Sequence, residues 1–276
     1  MTKRTLGGIA LAGSAALILA GCGGAGSTSG GSGGGGGDSI TVGIKFDQPG
    51  MGLRKGNDYT GFDVDVAKYI AKELGKTPNF KEAPTPQREQ LIESGQVSYI
   101  VGTYSITDAR KQKVDFAGPY FIAGQDLLVR SDDDSITGPD ALTGKKLCSV
   151  KGSTPAQKIK DQYPGVQLQE YDTYSKCVEE LAAKTVDALT TDNTILAGYA
   201  AQDAYKGKLK LVGKTFSTEN YGVGLKKGDK EFCQKVTDAI KKMIDSGDWK
   251  KAVDDNLGPA GFTPDAKNPP TPAACA

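Results

Sequence analysis

The sequence predicts an α/β fold with mainly parallel sheets, arranged as two α/β lobes. Short β-forming runs alternate with segments of helical periodicity, which is typical of strands joined by crossover helices. The 276 residues, of which 38% are hydrophobic, suffice for one large or two ordinary packed domains. The alternation extends over about 240 residues without an internal repeat, and that length indicates two lobes.

Each element is assigned from the spacing of its apolar residues. The first strand, 40–46, has apolar residues at every second position, and the first helix, 62–74, has an apolar face and a stop signal at Gly75. Further strands are predicted at 79–82, 98–101, 127–130, 146–150, 186–189, 209–212 and 221–225. Further helices are predicted at 88–94, 155–161, 173–183, 195–204 and 230–245, followed by a short helix with Trp249 and Val253.

The charge balance and the lack of histidine exclude several classes of function. The chain has 34 basic and 33 acidic residues, whereas a nucleic-acid-binding protein has a basic excess or stripe. With no histidine, the chain has no His-based triad, no Cys–His dyad and no His metal site. We expect no metal and no cofactor. Ligand binding should also vary little between about pH 5.5 and 8, where histidine titrates.

The first 22 residues have the pattern of a lipoprotein signal peptide. Lys3 and Arg4 precede the apolar stretch 6–20, which is shorter than the about 20 residues of a transmembrane helix. The stretch leads into Leu-Ala-Gly-Cys, which resembles the bacterial lipobox, so we expect cleavage after residue 21 and acylation of Cys22, with palmitate among the acyl chains. An ordinary signal peptide with an incidental Cys22 is the alternative. Lipidation predicts a location on the extracytoplasmic face of the cell membrane.

Residues 22–37 are predicted to connect this anchor to the folded part. Ten of residues 23–37 are glycine, and the rest are Ala, Ser and Thr, so the segment lacks the apolar surface of a packed core. It should be a flexible tether with a root-mean-square span of about 20–23 Å.

A family resemblance is carried by five segments in a fixed order. They are GFDVDVAKYIAKELG at 61–75, GTYSITDARKQKVDFAGPYF at 102–121, GKKLCSVKGSTPAQ at 144–157, VDALTTDNTILAGY at 186–199 and YGVGLKKGD at 221–229. Residues 38–257 thereby resemble the polar amino-acid solute-binding proteins of ABC importers. The segments GIKFDQPG at 43–50 and TPQRE at 85–89 are similar to those of the glutamate-binding lipoproteins of Gram-positive cells.

The resemblance implies a periplasmic-binding-protein-like fold of type II, with two lobes joined by a hinge of two crossing strands. Lobe 1 would comprise 38–121 and 221–276, and the inserted lobe 2 would comprise 122–220. The ligand would lie between lobes that close by hinge motion. The implied protein is a monomer that captures glutamate, with aspartate and glutamine as alternatives, and delivers it to the permease subunits of an ABC importer.

The α-carboxylate of an amino acid needs a charged partner in a dry cleft. Arg110 is the candidate, because its planar guanidinium matches two oxygens and because the family's S-x-T-x-x-R segment is present at 105–110. The alternative is a surface arginine at the start of a basic helix. Ser153 and Thr154 come between a predicted strand and helix, where N–H groups favour an anion and a hydroxyl adds a donor.

The α-ammonium needs acceptors. Asp192 follows a predicted strand at the place where the family has its ammonium-binding aspartate. The alternative, which is compatible with the first, is an N-cap ahead of Ile195. The resemblance adds the Thr103 carbonyl and the Ser105 hydroxyl to this subsite.

The side-chain pocket indicates an acidic ligand. Lys45, near the end of the predicted first strand, occupies the place where relatives that bind glutamine or basic amino acids often have Asp or Glu. Arg88 lies where acidic amino-acid binders have Arg. Both would contact a second carboxylate, with Thr85 adding a hydroxyl. The alternative is two surface ion pairs, with Asp47 and Glu89.

Four cysteines remain after Cys22, and export favours disulfides. Three connectivities are open from the spacing alone. The lobe boundaries implied by the resemblance select Cys148–Cys177 and Cys233–Cys275, because the other two would tie the lobes together. Zinc on four cysteines is the alternative.

An enzyme on the same fold is an alternative function. Cyclohexadienyl dehydratases resemble these binding proteins, but they need a positioned general acid, and Asp192 is already assigned to an ammonium. A ligand-sensing lipoprotein is a further alternative. We expect a binding protein without enzymatic activity.

Overall fold

The structure, a computed structural model, describes residues 39–275. The signal peptide, the acylation site at Cys22 and the tether, all three predicted from the sequence, lie outside these residues. Within the described range, none of the helices has the length and apolar character needed to cross a bilayer.

The chain forms thirteen strands and eight α-helices in the described range. The strands are β1 (Ser39–Ile44), β2 (Asp47–Gln48), β3 (Gly52–Lys55), β4 (Asp58–Thr60), β5 (Thr77–Glu82), β6 (Tyr99–Ile100), β7 (Val114–Ala123), β8 (Gln125–Arg130), β9 (Lys146–Val150), β10 (Gln167–Tyr171), β11 (Ala188–Asp192), β12 (Leu209–Leu211) and β13 (Glu219–Lys226). The helices are α1 (Phe62–Glu73), α2 (Arg88–Glu93), α3 (Asp108–Lys111), α4 (Thr154–Gln162), α5 (Tyr174–Ala182), α6 (Asn193–Ala200), α7 (Lys230–Asp245) and α8 (Asp248–Leu257).

Two five-stranded sheets organise these elements. The first has the order β5-β1-β6-β13-β7 and the second has the order β10-β9-β11-β8-β12. In each sheet two pairings are parallel and two are antiparallel, so the expectation of mainly parallel sheets holds for only half of the pairings. The parallel strands are joined through helices, whereas β7, β8, β12 and β13 belong to the connections that run between the sheets.

The chain crosses between the two sheets twice, and the two crossings lie side by side. The first crossing is at Gly124, between β7 and β8, and the return leads through Ser217 into β13. The Gly124 amide donates to Asn193 Oδ1 at 3.3 Å, and the Gln125 amide donates to Ser217 Oγ at 3.0 Å. A Cβ on Gly124 would lie 2.8 Å from Thr215 Cβ, so only glycine lets the two connections approach this closely.

An aromatic cluster fixes α1 and α8 against the first sheet. Phe62 packs edge-on against Phe121 and Trp249, with ring centres 5.3 and 5.8 Å apart. The Trp249 indole N–H also donates to the Tyr120 carbonyl at 2.7 Å, which satisfies its one polar group. This cluster anchors the strand that leads into the crossing.

Both disulfides have the pairing expected above. Cys148–Cys177 joins β9 to α5, next to the second sheet. Cys233–Cys275 joins α7 to the C-terminal segment, which lies along the first sheet, where Ala273 pairs with Gly118. The Asn268 side chain is hydrogen-bonded to both backbone groups of Ile122, at 2.8 Å each.

Several elements differ from the sequence prediction. The strands β7 and β10 and the small antiparallel sheet β2-β3-β4 were not predicted. Gly118-Pro119 interrupts the β pattern of β7, and a strand tolerates proline here because β7 is the edge of its sheet. The predicted strand 186–189 is observed at Ala188–Asp192, so the strand extends to the predicted ammonium ligand.

Candidate functional site

A small cavity lies between the two sheets, close to the strand crossings. Its lining includes every predicted ligand residue except Lys45: Thr85, Arg88, Thr103, Ser105, Arg110, Ser153, Thr154 and Asp192, together with Pro155, Tyr174 and Ile195. Lys45 lines an adjoining cavity that shares Thr85 and Tyr174 with the first. The structure therefore brings together residues that are far apart in the sequence.

The strand ends explain why these side chains meet. Lys45 directly follows β1, Thr103 comes three residues after β6, and Asp192 ends β11. Thr154 begins α4, shortly after the end of β9. Ligand sites of open α/β sheets form at the carboxyl ends of strands, and both sheets direct these ends toward the cavity.

Arg110 is a buried residue of the cleft and not a surface residue, since only 8% of it is exposed. Its Nη1 donates to the Ser105 carbonyl at 2.8 Å, and its Nη2 donates to the Gly152 carbonyl at 3.0 Å. Its Nε lies 3.6 Å from Glu89 Oε1. Burial, and then repulsion from Arg88, lower the pKa of Arg110 to about 10. The cation thus links segments associated with both sheets.

The hydroxyls of Ser153 and Thr154 have different roles. Ser153 caps α4, because its Oγ accepts the Ala156 amide at 3.2 Å. The Thr154 hydroxyl donates to Glu219 Oε2 at 3.0 Å and lies 3.5 Å from Ser105 Oγ. The sequence predicts that this hydroxyl donates to an α-carboxylate of the ligand, whereas in the structure it donates to Glu219.

Asp192 is buried at the N-terminus of α6 but makes no side-chain capping bond. Its Oδ2 accepts the Tyr221 hydroxyl at 2.6 Å, and its Oδ1 is buried without a hydrogen-bond partner among residues 39–275. Burial and repulsion from Glu219 raise the pKa of Asp192 to about 8. An unpaired carboxylate oxygen in this setting favours a cationic partner.

Thr103 has a left-handed backbone with φ of 45°, which is uncommon for a threonine. Its amide donates to Asp63 Oδ2 at 2.8 Å, and its hydroxyl donates to Gln48 Oε1 at 3.1 Å. Asp63 is fully buried and also accepts the Tyr120 hydroxyl at 2.7 Å. Burial raises the pKa of Asp63 to about 7. The sequence does not predict this support, because Asp63 has the pattern of a helix-surface charge.

Lys45 is buried, with 4% exposure, and has no ion pair with Asp47 within the described chain. Its ammonium donates to the Ala83 carbonyl at 2.9 Å and to Thr85 Oγ1 at 2.7 Å. The Asp47 carboxylate instead accepts from the Ser175 amide at 3.2 Å. Burial, and then repulsion from Arg88, lower the pKa of Lys45 well below its usual value.

Arg88 is also buried, and Glu89 pairs with Arg110 instead of with Arg88. Arg88 Nη1 donates to the Gly102 carbonyl at 3.1 Å, and its guanidinium carbon lies 4.0 Å from the centre of the Tyr104 ring. Its Nε is buried with no hydrogen-bond partner in the part of the chain described. The surface ion pairs considered as an alternative for Lys45 and Arg88 are therefore not formed.

Sequence reasoning did not identify several residues at this site. Tyr174 borders both cavities from the start of α5, and Pro155 and Ile195 line the first cavity. Glu219 lies at the start of β13 and contacts the site through Thr154. The position of Tyr174 at the start of a helix that follows a strand could have identified this residue. Nothing in the local sequence marks Glu219.

No group of three or more His, Cys, Asp or Glu side chains among the described residues is arranged to hold a metal ion. Cys148, Cys177, Cys233 and Cys275 are all used in disulfides. The donors and acceptors of the cavity are those of a binding site for a charged organic molecule.

Comparison with known proteins gives a consistent family assignment. Residues 40–259 match the model of the bacterial extracellular solute-binding proteins, family 3. The glutamate-binding protein GluB of Corynebacterium glutamicum is 46% identical, over 92% of this chain and 89% of its own length. The ABC transporter glutamine-binding protein GlnH of Bacillus subtilis is 36% identical, over 76% and 78%.

The solved structures agree with this assignment. An ancestral arginine-binding protein bound to glutamine has a TM-score of 0.76 at 35% identity, covering 80% of this chain and 98% of its own. These relatives are binding proteins, and the present chain is likewise a binding protein and not an enzyme. The chain thus belongs to family 3 of the bacterial extracellular solute-binding proteins, with the type II two-lobe fold of the amino-acid-binding proteins that serve ABC importers.

Proposed function

We propose that this protein is a lipid-anchored extracytoplasmic receptor that captures L-glutamate for an ABC importer. The observation that carries the proposal is the presence of three buried cations, Lys45, Arg88 and Arg110, around one cleft. Buried charges need partners. Glutamate supplies two carboxylates for these cations and one ammonium for the cavity's carboxylate.

The α-groups of the ligand are assigned to the first cavity. Arg110 and the N-terminus of α4 hold the α-carboxylate, since both favour an anion. Asp192 holds the α-ammonium through its unpaired Oδ1, together with the Thr103 carbonyl and the Ser105 hydroxyl. These groups are common to all amino acids, so they supply affinity and do not select the side chain.

The γ-carboxylate is assigned to the boundary between the two cavities. Lys45 and Arg88 provide the charge, and Thr85, which borders both cavities, provides a hydroxyl. A glutamine amide would direct N–H groups at these donors. Among the relatives, the protein named as glutamate-binding is 46% identical and the one named as glutamine-binding is 36% identical, which also favours glutamate.

The proposed lobes are 38–121 with 221–276, and 122–220, and they close over the ligand by hinge motion at the crossing strands. The strands reach two residues beyond these limits on the first sheet, to Ala123 and from Glu219. The bonds from Arg110 to Gly152 and from Ser175 to Asp47 join the proposed lobes and support a closed arrangement. The acylated Cys22 and the tether would keep this receptor beside its permease.

Calorimetry of the purified protein with each of the twenty amino acids tests the proposal. We expect glutamate to bind with the highest affinity, with aspartate weaker because its shorter side chain does not reach Lys45 and Arg88 together. A preference for glutamine or arginine would overturn the acidic-ligand assignment. Uptake of labelled glutamate by cells that lack the protein then separates transport from sensing, since a sensor would leave uptake unchanged.

A further inference from the structure

One buried carboxylate joins the strand crossings to the cavity. Glu219 Oε1 accepts from Gln125 Nε2 and from Ser217 Oγ, each at 2.9 Å. Its Oε2 accepts from Thr154 Oγ1 at 3.0 Å. Gln125 and Ser217 belong to the two crossings, whereas Thr154 lines the cavity, so a single side chain contacts all three.

The direction of each hydrogen bond in this group is fixed by chemistry. The backbone amide of Gln125 donates to Ser217 Oγ at 3.0 Å, which leaves the hydroxyl proton of Ser217 to donate to Glu219. Three donors converge on the Glu219 carboxylate, and its two oxygens accept all three hydrogen bonds. The single proton of the Thr154 hydroxyl is therefore directed at Glu219 and away from the cavity.

A hydroxyl whose proton is used in this way presents only lone pairs to its other neighbours. Thr154 Oγ1 lies 3.5 Å from Ser105 Oγ, and both residues share the cavity wall with Asp192. The hydroxyl oxygens of Thr154 and Ser105 and the carboxylate of Asp192 form an electron-rich corner of the cavity. Such a corner attracts an ammonium and repels a carboxylate. The Arg110 guanidinium, by contrast, attracts an anion.

We propose that Glu219 is a positioning residue of the ammonium subsite, which makes the Thr154 hydroxyl an acceptor toward the cavity. The inference rests on the proposed function in that the ligand is an amino acid, but it does not depend on which side chain the ligand has. Glu219 does not itself line the cavity and acts through Thr154. The Glu219 carboxylate is also close enough to Asp192 to contribute to its raised pKa.

The test compares glutamate with glutarate, which has the same two carboxylates and no ammonium. Dissociation constants are measured by calorimetry, directly for glutamate and by displacement for glutarate. In Glu219→Gln the new amide donates to Thr154 and turns its proton toward the cavity. We expect the affinity for glutamate to fall by about tenfold and the affinity for glutarate to change by less than about threefold. The preference for the ligand with the amine, which is the ratio of these two affinities, therefore narrows.

Matched variants separate this role from a structural role at the crossings. Ser217→Ala removes another donor to Glu219 without touching Thr154, and it should change both affinities by the same factor. Thr154→Val should narrow the preference as Glu219→Gln does, and Thr154→Ser should restore it. Equal weakening of both ligands in Glu219→Gln and in Thr154→Val would overturn the inference.

Failure of the glutamate assignment gives a different result. If the wild-type protein prefers glutamine, the same variants are compared with glutamine and its deaminated analogue, 4-carbamoylbutanoate. A narrowed preference in that pair supports Glu219 as a positioning residue although the glutamate proposal has failed. An unchanged preference overturns the role of Glu219 whichever amino acid the protein binds.

Discussion

The guanidinium of Arg88 lies 4.0 Å from the centre of the Tyr104 ring, and the guanidinium of Arg110 lies 5.1 Å from the same centre. One buried aromatic ring thus contacts two like charges that repel each other. The negative face of a tyrosine ring attracts cations by about 0.5–2 kcal/mol, depending on burial. Tyr104 therefore helps to keep both arginines in the cleft, where we propose that they contact different carboxylates.

Replacement of this ring is expected to weaken ligand binding without removing a ligand contact. In Tyr104→Leu both arginines lose their aromatic partner, and the affinity for glutamate should fall by about tenfold. Tyr104→Phe keeps the ring and should remain within about threefold of the wild type. Calorimetry on the two variants measures this difference, and equal affinities would show that the ring does not position the arginines.

Removal of Arg110 is expected to abolish binding of every amino acid. Arg110→Ala takes away the proposed partner of the α-carboxylate, and loss of one member of a buried ion pair costs about 3–5 kcal/mol. Lys111→Ala is the matched control, because Lys111 is an exposed neighbour on the same short helix. Micromolar binding by Arg110→Ala would remove this residue from the site.

Selectivity between glutamate and glutamine is expected to depend on Arg88. In the wild type, loss of one or two charged hydrogen bonds, at about 1.5–3 kcal/mol each, should weaken glutamine binding by tenfold or more. Arg88→Met should remove most of this difference while the α-group contacts remain. Calorimetry with both ligands on both proteins gives the ratio, and an unchanged ratio in the variant would contradict the γ-carboxylate assignment.

The pH dependence of binding is expected to follow Asp192. Its pKa is raised to about 8 by burial and by Glu219, against the lowering effects of Tyr221, Arg110 and Arg88. Below this pH the carboxyl group is mostly protonated, whereas an ammonium needs the ionised form. The affinity should therefore rise from about pH 6 to 8, by up to about tenfold per unit, and level off above.

This expectation replaces the flat profile that the lack of histidine predicts. Because binding would release a proton, the measured heat at pH 7 should vary with the ionisation enthalpy of the buffer. Asp192→Asn should bind more weakly and without the slope, whereas Lys111→Ala should keep it. Constant wild-type affinity across pH 6–8, with no buffer effect, would show that Asp192 is already ionised.

Motifs at strand and helix ends were sufficient to locate most of the cavity. Arg110 and Asp192 were predicted because each belongs to a short segment whose residue types and spacing match the family. The disulfides followed from the lobe limits that the same match implies. Local sequence was informative for these residues because their position depends on the element that carries them.

Glu219, Asp63 and strand β7 were not predicted, for physical reasons that lie outside local sequence. Glu219 and Thr154 are 65 positions apart in the sequence and meet only in the folded chain. Asp63 lies in the first turn of α1, where an acidic residue is usually exposed, but here it is buried and accepts from the Thr103 amide and the Tyr120 hydroxyl. Tertiary burial also raises the pKa values of Asp63 and Asp192, and local sequence does not reveal this effect.

The order of strands in the two sheets has a consequence for folding during export. All strands of the second sheet lie between Gln125 and Leu211, whereas the first sheet needs β13, which follows them in the chain. β13 is the strand that lies next to the edge strand β7 in this sheet, and it begins about a hundred residues after β7. A chain emerging from its N-terminal side can therefore complete the second sheet, with Cys148–Cys177, while the first sheet is still unfinished. The first sheet therefore begins earlier in the chain but is completed later than the second sheet.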